Sequence, residues 1–192
     1  MIIPSTLPGT FTAQQARVAG LTKHALHRLR DRGELELLGR GVYRRRVAEL
    51  ADLELIELAT RSPRATLCLA SALVKHNLSD AIPAAFDLAL PRGARSPRSQ
   101  IRVNWHWFEA ASFELEREQL ALDAHTSIGI YSAERSIVDA FRMRGREGHE
   151  LANEALKRWL RRRGAQPSVL LALAEQLPRS RTPLRRALEI LV

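Results

Sequence analysis

Between positions 22 and 46 the sequence places ten side chains able to meet a polyanion: Thr22, Lys23, His24, His27, Arg28, Arg30, Arg40, Arg44, Arg45 and Arg46. Lysine and arginine can donate to guanine O6 and N7 in a major groove, histidine can donate or accept, and any of the cations can neutralise a phosphate. From Lys23 to Arg46, eight basic side chains stand against three acidic ones, so this stretch supplies five of the chain's net charge of +9. Such a concentrated excess suits a module that binds nucleic-acid backbone. A solvated surface is the plainer alternative for any one of these residues, Arg40 in a turn among them.

The local patterning says how such residues would be held. Thr12 and Gln15 have the spacing of a capping box, opening a short helix that Gly20 stops. Thr22 can cap a second helix whose Ala25, Leu26 and Leu29 form an inward stripe. At ~100° per residue, Lys23, His24, His27, Arg30 and Asp31 fall on the opposite face. After Gly33 the period changes. Glu34-Leu35-Glu36-Leu37 alternates as a half-buried strand with its leucines inward, Gly39-Arg40-Gly41 turns, and Val42 to Arg46 reads as the returning strand.

Helix, tight turn, helix and hairpin is the order of a winged helix-turn-helix, whose second helix enters the major groove. The N-terminal residues of that helix, Thr22, Lys23, His24, His27 and Arg28, are then the base-edge and nearby phosphate candidates. Arg40, between two glycines, can approach a phosphate or the minor groove, and Arg44, Arg45 and Arg46 would extend a positive strip along the returning strand. His24, His27 and Asp31 share a face, but nothing nearby completes a tetrahedral metal site, so neither metal nor cofactor is expected.

The chain has 192 residues, 45% of them hydrophobic, enough for a sizeable core. No run of about 18 apolar residues and no basic-then-apolar leader occurs, and the single Cys68 excludes an intrachain disulfide and a multi-thiolate zinc site. A cytoplasmic protein is the expectation. Residues 47–60 read as a connecting helix stopped at Ser62-Pro63, which divides the chain into a winged-helix domain at 1–47 and a second domain at 48–192, with 48–62 as connector.

In the second domain, 65–78 reads as a core helix, while 86–90, 101–107, 119–123 and 127–131 read as strands of a small sheet. Helices follow from 133, around 148–163, at 167–177 and at 183–191. The fold class is therefore α+β: a winged helix, then a mixed α/β domain. Its basic clusters, Arg92, Arg95, Arg98 and Arg102, then 157–163 and 179–186, read first as solvated surface and second as phosphate or partner contacts.

Catalytic signatures are lacking: there is no Gly-x-Ser-x-Gly, Walker A loop, His-Glu-x-x-His or zinc-deaminase pattern. Glu134 and Asp139 would point ~140° apart on a helix, poorly placed as an acid/base pair. Arg135 and Asp139, four apart, can meet and fasten that helix to the sheet. His76, His106, His125 and His149 are scattered singly. No enzymatic activity is expected.

The stretch GLTKHALHRLRDRGELELLGRGVYRRR (20–46) resembles the N-terminal winged helix of the AbiEi antitoxins of type IV abortive-infection toxin-antitoxin systems. CLASALVKHNLSDAIP (68–83), LPRGAR (90–95), IYSAERSIVDAFRMR (130–144) and LANEALKRWL (151–160) resemble successive blocks of that family's second domain. The resemblance implies an autorepressor that recognises inverted repeats in double-stranded DNA upstream of its operon. It also implies an antitoxin acting on a nucleotidyltransferase-like toxin without a stable complex. A monomer when free, with up to two copies on an inverted repeat, is the expectation. A winged-helix regulator without a toxin, an RNA binder and a nucleic-acid-processing enzyme are the alternatives.

Overall fold

The first helices begin at the residues able to cap them. Thr10–Thr12 forms a short strand, β1, and Thr12 then caps α1, Ala13–Val18. The Thr12 hydroxyl accepts from the Gln15 amide at 3.1 Å and Gln15 Oε1 accepts from the Thr12 amide at 2.7 Å, so two amide donors at the helix start are satisfied reciprocally. α2, Lys23–Asp31, opens on Thr22, whose hydroxyl accepts from the Ala25 amide at 3.2 Å. β2, Leu35–Gly39, and β3, Val42–Arg45, form the hairpin, with an irregularity between Leu37 and Gly39. The computed structural model describes residues 3–46, 52–123, 125–147 and 149–191.

These strands make a sheet of order β1-β3-β2 in which Thr10 lies opposite Arg44, Phe11 opposite Tyr43 and Thr12 opposite Val42. Phe11, Ala16, Leu26, Leu29 and Leu35 build the core of this small domain, and Phe11 stacks on Tyr43 at 6.3 Å between centroids. The inward stripe of α2 is the one its spacing predicts. Leu37 differs from expectation: it is 43% exposed. Only Leu35, one pleat earlier on the same side of β2, belongs to that core.

α3, Leu53–Arg61, is capped by Asp52, whose carboxylate accepts from the Leu55 amide at 3.2 Å, and it packs against β1, β2 and β3. The boundary expected at 47/48 and the expected first turn of the connecting helix lie outside the described residues. Contacts between backbone positions group Met1–Ala65 with Arg95–Arg102 and Gln119–Gly129 as one compact unit. α3 thus sits with the winged helix it follows.

The second unit comprises Thr66–Ala94, Val103–Glu118 and Ile130–Val192. The single helix expected over 65–78 is instead a strand, β4 at Thr66–Leu67, followed by α4 at Leu69–Lys75. An apolar run buried all round carries no periodicity to separate the two, and the pairing of Thr66 with Ala89 and Leu67 with Leu88 decides for strand. β5, Phe86–Pro91, lies antiparallel to β4 and parallel to β6, Val103–Phe108. After the short α5, Ala110–Phe113, come β7, Arg117–Ala121, and β8, Ser127–Tyr131, giving a sheet of order β6-β5-β4-β8-β7.

Four helices complete the unit: α6, Ala133–Glu147; α7, His149–Leu160; α8, Pro167–Gln176; and α9, Arg181–Leu191. Ile137 and Phe141 of α6 share a core with Leu156 and Trp159, Leu170 and Leu184. On the other side of α6, Arg135 is wholly buried. It donates through Nε to Asp139 at 2.8 Å and through Nη1 to the Ser112 and Leu115 carbonyls, each at 3.0 Å, with its guanidinium 4.6 Å from the Tyr131 ring centroid. The expected pair therefore fastens α6, and the group it holds is the turn after α5. No helix among the described residues is long and apolar enough to cross a membrane.

Candidate nucleic-acid interface

Because Ala25, Leu26 and Leu29 are drawn into the core, α2 must turn its other residues to solvent. Thr22, Lys23, His24, Arg28 and Arg30 are exposed, and His27 is half-buried. Arg30 lies 3.4 Å from the Asp31 carboxylate, an exposed ion pair that costs little to exchange for another anion. Thr22 has a double duty, since its oxygen accepts the cap hydrogen bond while its hydroxyl proton remains a donor.

The hairpin turn is held from two sides. The Ala13 amide donates to the Gly41 carbonyl at 2.7 Å, which ties the turn to the start of α1, and Gly41 takes the left-handed conformation at φ +77°. From α3, Arg61 Nη2 donates to the Arg40 carbonyl at 2.8 Å while its Nε donates to Glu57 at 2.7 Å. The Arg40 backbone is therefore fixed while its side chain is exposed.

The three arginines of the returning strand do not share a role. Arg44 is 4% exposed, flanked in register by Thr10 on β1 and Glu36 on β2. Half-buried Arg45 donates through Nη2 to the Pro4 carbonyl at 2.6 Å and the Leu7 carbonyl at 3.0 Å, binding the N-terminal segment to the sheet. Arg46 alone of the three is exposed. The continuous positive strip expected along 44–46 is thus corrected to a single outward cation. β1 is part of the physical reason: paired with β3 it sets Thr10 beside Arg44, opposite Glu36, so Arg44 has a neighbour on each side, and the segment before β1 takes up Arg45. The run Thr10-Phe11-Thr12, β-prone and directly before a capping box, was the signal for that extra strand.

In the second unit, His106 is not solitary. Its Nε2 lies 3.0 Å from Asp87 Oδ1, both residues buried, and Asn104 Nδ2 donates to the same oxygen at 3.2 Å. The parallel register that sets Asp87 beside Asn104 is a tertiary fact, invisible in a scan for histidines.

Comparison with known proteins gives a family match over the N-terminal part of the chain. Residues 5–46 match the model of the AbiEi_4 family, described as transcriptional regulator, AbiEi antitoxin. The matched segment runs from before β1 to just past β3 and so contains the capping box, α2 and the Gly39-Arg40-Gly41 turn. It supports a transcriptional regulator and antitoxin of the AbiEi type. The blocks at 68–83, 90–95, 130–144 and 151–160 lie outside the matched residues. Among solved structures, the crystal structure of the RV2827C protein from Mycobacterium tuberculosis is 21% identical, with a TM-score of 0.51 over 95% of this chain and 76% of that one. That likeness concerns the fold. No curated protein matches significantly.

Proposed function

We propose that the protein binds double-stranded DNA through its AbiEi-type winged helix, represses its own operon at inverted repeats, and serves as the antitoxin to a nucleotidyltransferase-like toxin. The observation that carries the DNA-binding part is the outward face of α2. Lys23 and His24 are exposed at the start of α2, and Arg28 in its last turn, on a helix whose other side is locked in the core by Leu26 and Leu29. Such a helix presents fixed donors to guanine N7 and O6, while the tethered Arg40 and the exposed Arg46 offer charge to phosphates. Autorepression and antitoxicity rest on the AbiEi match. The protein would work in the cytoplasm, as a monomer until two copies meet on a palindromic site.

Footprinting on the protein's own upstream DNA tests this reading. Protection of two inverted half-sites, lost in Lys23→Ala while weak binding to random duplex persists, is the expected result. Absence of protection, or equal loss on cognate and random duplex, would overturn readout by α2. Rescue of growth when the protein is co-expressed with a nucleotidyltransferase-like toxin checks the antitoxin part, and failure of rescue leaves a regulator alone.

A further inference from the structure

Between Asp87 and Glu109 the sequence carries Arg92, Arg95, Arg98 and Arg102 and no acidic residue at all. Arg92 is matched by Glu109, 2.7 Å away. Arg95, Arg98 and Arg102 are exposed and have no acidic partner among the described residues. Three unmatched cations within eight residues repel one another, and an anion bound alongside relieves that repulsion.

Where this loop lies is the second observation. Residues 95–102 belong to the first compact unit, with the winged helix. Two surface hollows border the hairpin turn, and both are lined by Arg40 and Arg61; Arg98 completes one and Pro97 the other. The loop is anchored there by Ser99, whose hydroxyl donates to Glu57 at 3.4 Å and accepts from the Ile101 amide at 3.1 Å. Glu57 in turn holds Arg61, which holds the Arg40 carbonyl. One chain of contacts thus sets the loop and the wing turn side by side. Glu36 and Glu54 also line the first hollow, which keeps phosphate out of its interior and leaves the outward arginines to meet it.

We propose that the 95–102 loop is a second phosphate-contacting element, in which Arg95 and Arg98 join Arg40 on the backbone of the DNA flanking the wing. The inference rests on the DNA-binding reading above. It extends the interface beyond the residues that match the AbiEi model.

The test uses the full-length protein, with binding to its upstream DNA and to a random duplex measured across a salt series. Arg95→Ala/Arg98→Ala is expected to weaken both complexes alike, on the order of tenfold or more at ~0.1 M salt, and to flatten the salt slope by up to about 1.8. Arg95→Lys/Arg98→Lys should restore the slope, and an unchanged melting temperature separates charge from folding. A wild-type slope in the alanine variant, with normal wild-type binding, would overturn the loop's role alone. Absence of any DNA binding by the wild type would instead overturn the functional reading beneath it.

Discussion

The Glu57 carboxylate occupies the space that any side chain on Gly39 would need. Gly39→Ala must therefore push Glu57 aside and slacken the Arg61 bridge to the turn. A loss of about 1–3 kcal/mol in chemical denaturation is expected. Glu57→Ala should cost less in the Gly39→Ala background than in the wild type, because there it also removes the clashing carboxylate. Strict additivity of the two changes would contradict the contact.

Arg45 and Arg46 are adjacent in sequence and opposite in use. Arg45→Ala removes the charged donor that holds the Pro4 and Leu7 carbonyls and should cost about 1–3 kcal/mol of stability, with the salt slope of DNA binding unchanged. Arg46→Ala should leave stability within about 0.5 kcal/mol and flatten the slope by ~0.9 if that residue meets a phosphate. Urea denaturation and salt-dependent binding of both variants read the two effects separately.

Removing Arg135 alone leaves Asp139 buried with Arg142, 2.9 Å away, as its remaining cation, and takes the donor from two carbonyls. Arg135→Ala is expected to cost about 3–5 kcal/mol by urea midpoint. Arg135→Met with Asp139→Leu should cost less than the single change, since the charge then left without its partner is Arg142, which keeps some exposure, whereas Asp139 has none. A double variant weaker than the single would show that Asp139 still stabilises the fold through Arg142 once Arg135 is gone.

Burial raises the Tyr131 phenol well above its ordinary 10.0, the Arg135 charge opposing this only in part. The folded protein then holds that proton more tightly than the unfolded chain, so stability falls as pH climbs past 10.0. Tyr131→Phe gives up the hydrogen bond to the Phe113 carbonyl at 2.9 Å, worth about 1 kcal/mol at neutral pH. The gap between variant and wild type should narrow in alkaline melts above pH 10.0. A gap of constant width would remove Tyr131 from the alkaline response.

Local chemistry makes the winged helix legible in the sequence. Thr12, Gln15 and Thr22 state where helices start, and Ala25, Leu26 and Leu29 state which way α2 faces. What stayed hidden depends on pairing across distance. Arg44 and Arg46 are the same residue type two positions apart, and only the strand at Thr10–Thr12 tells which is covered. Likewise Thr66 and Leu67 sit in an apolar run that reads as helix until their partners on β5 are known. The pairing of Asp87 with His106 needs the parallel register, and the seat of Ser99 on Glu57 joins positions far apart in the chain.

The winged helix is also less detachable than its sequence suggests. A fragment cut after Arg46 would keep every residue of the AbiEi match yet lack α3, leaving a bare glycine in the hairpin where a carboxylate belongs and a turn with no guanidinium behind it. The chain enters this unit three times, at 1–65, 95–102 and 119–129. Its modularity is spatial and not linear: swapping or truncating the module by sequence position would carry away the reading head without the parts that hold it still.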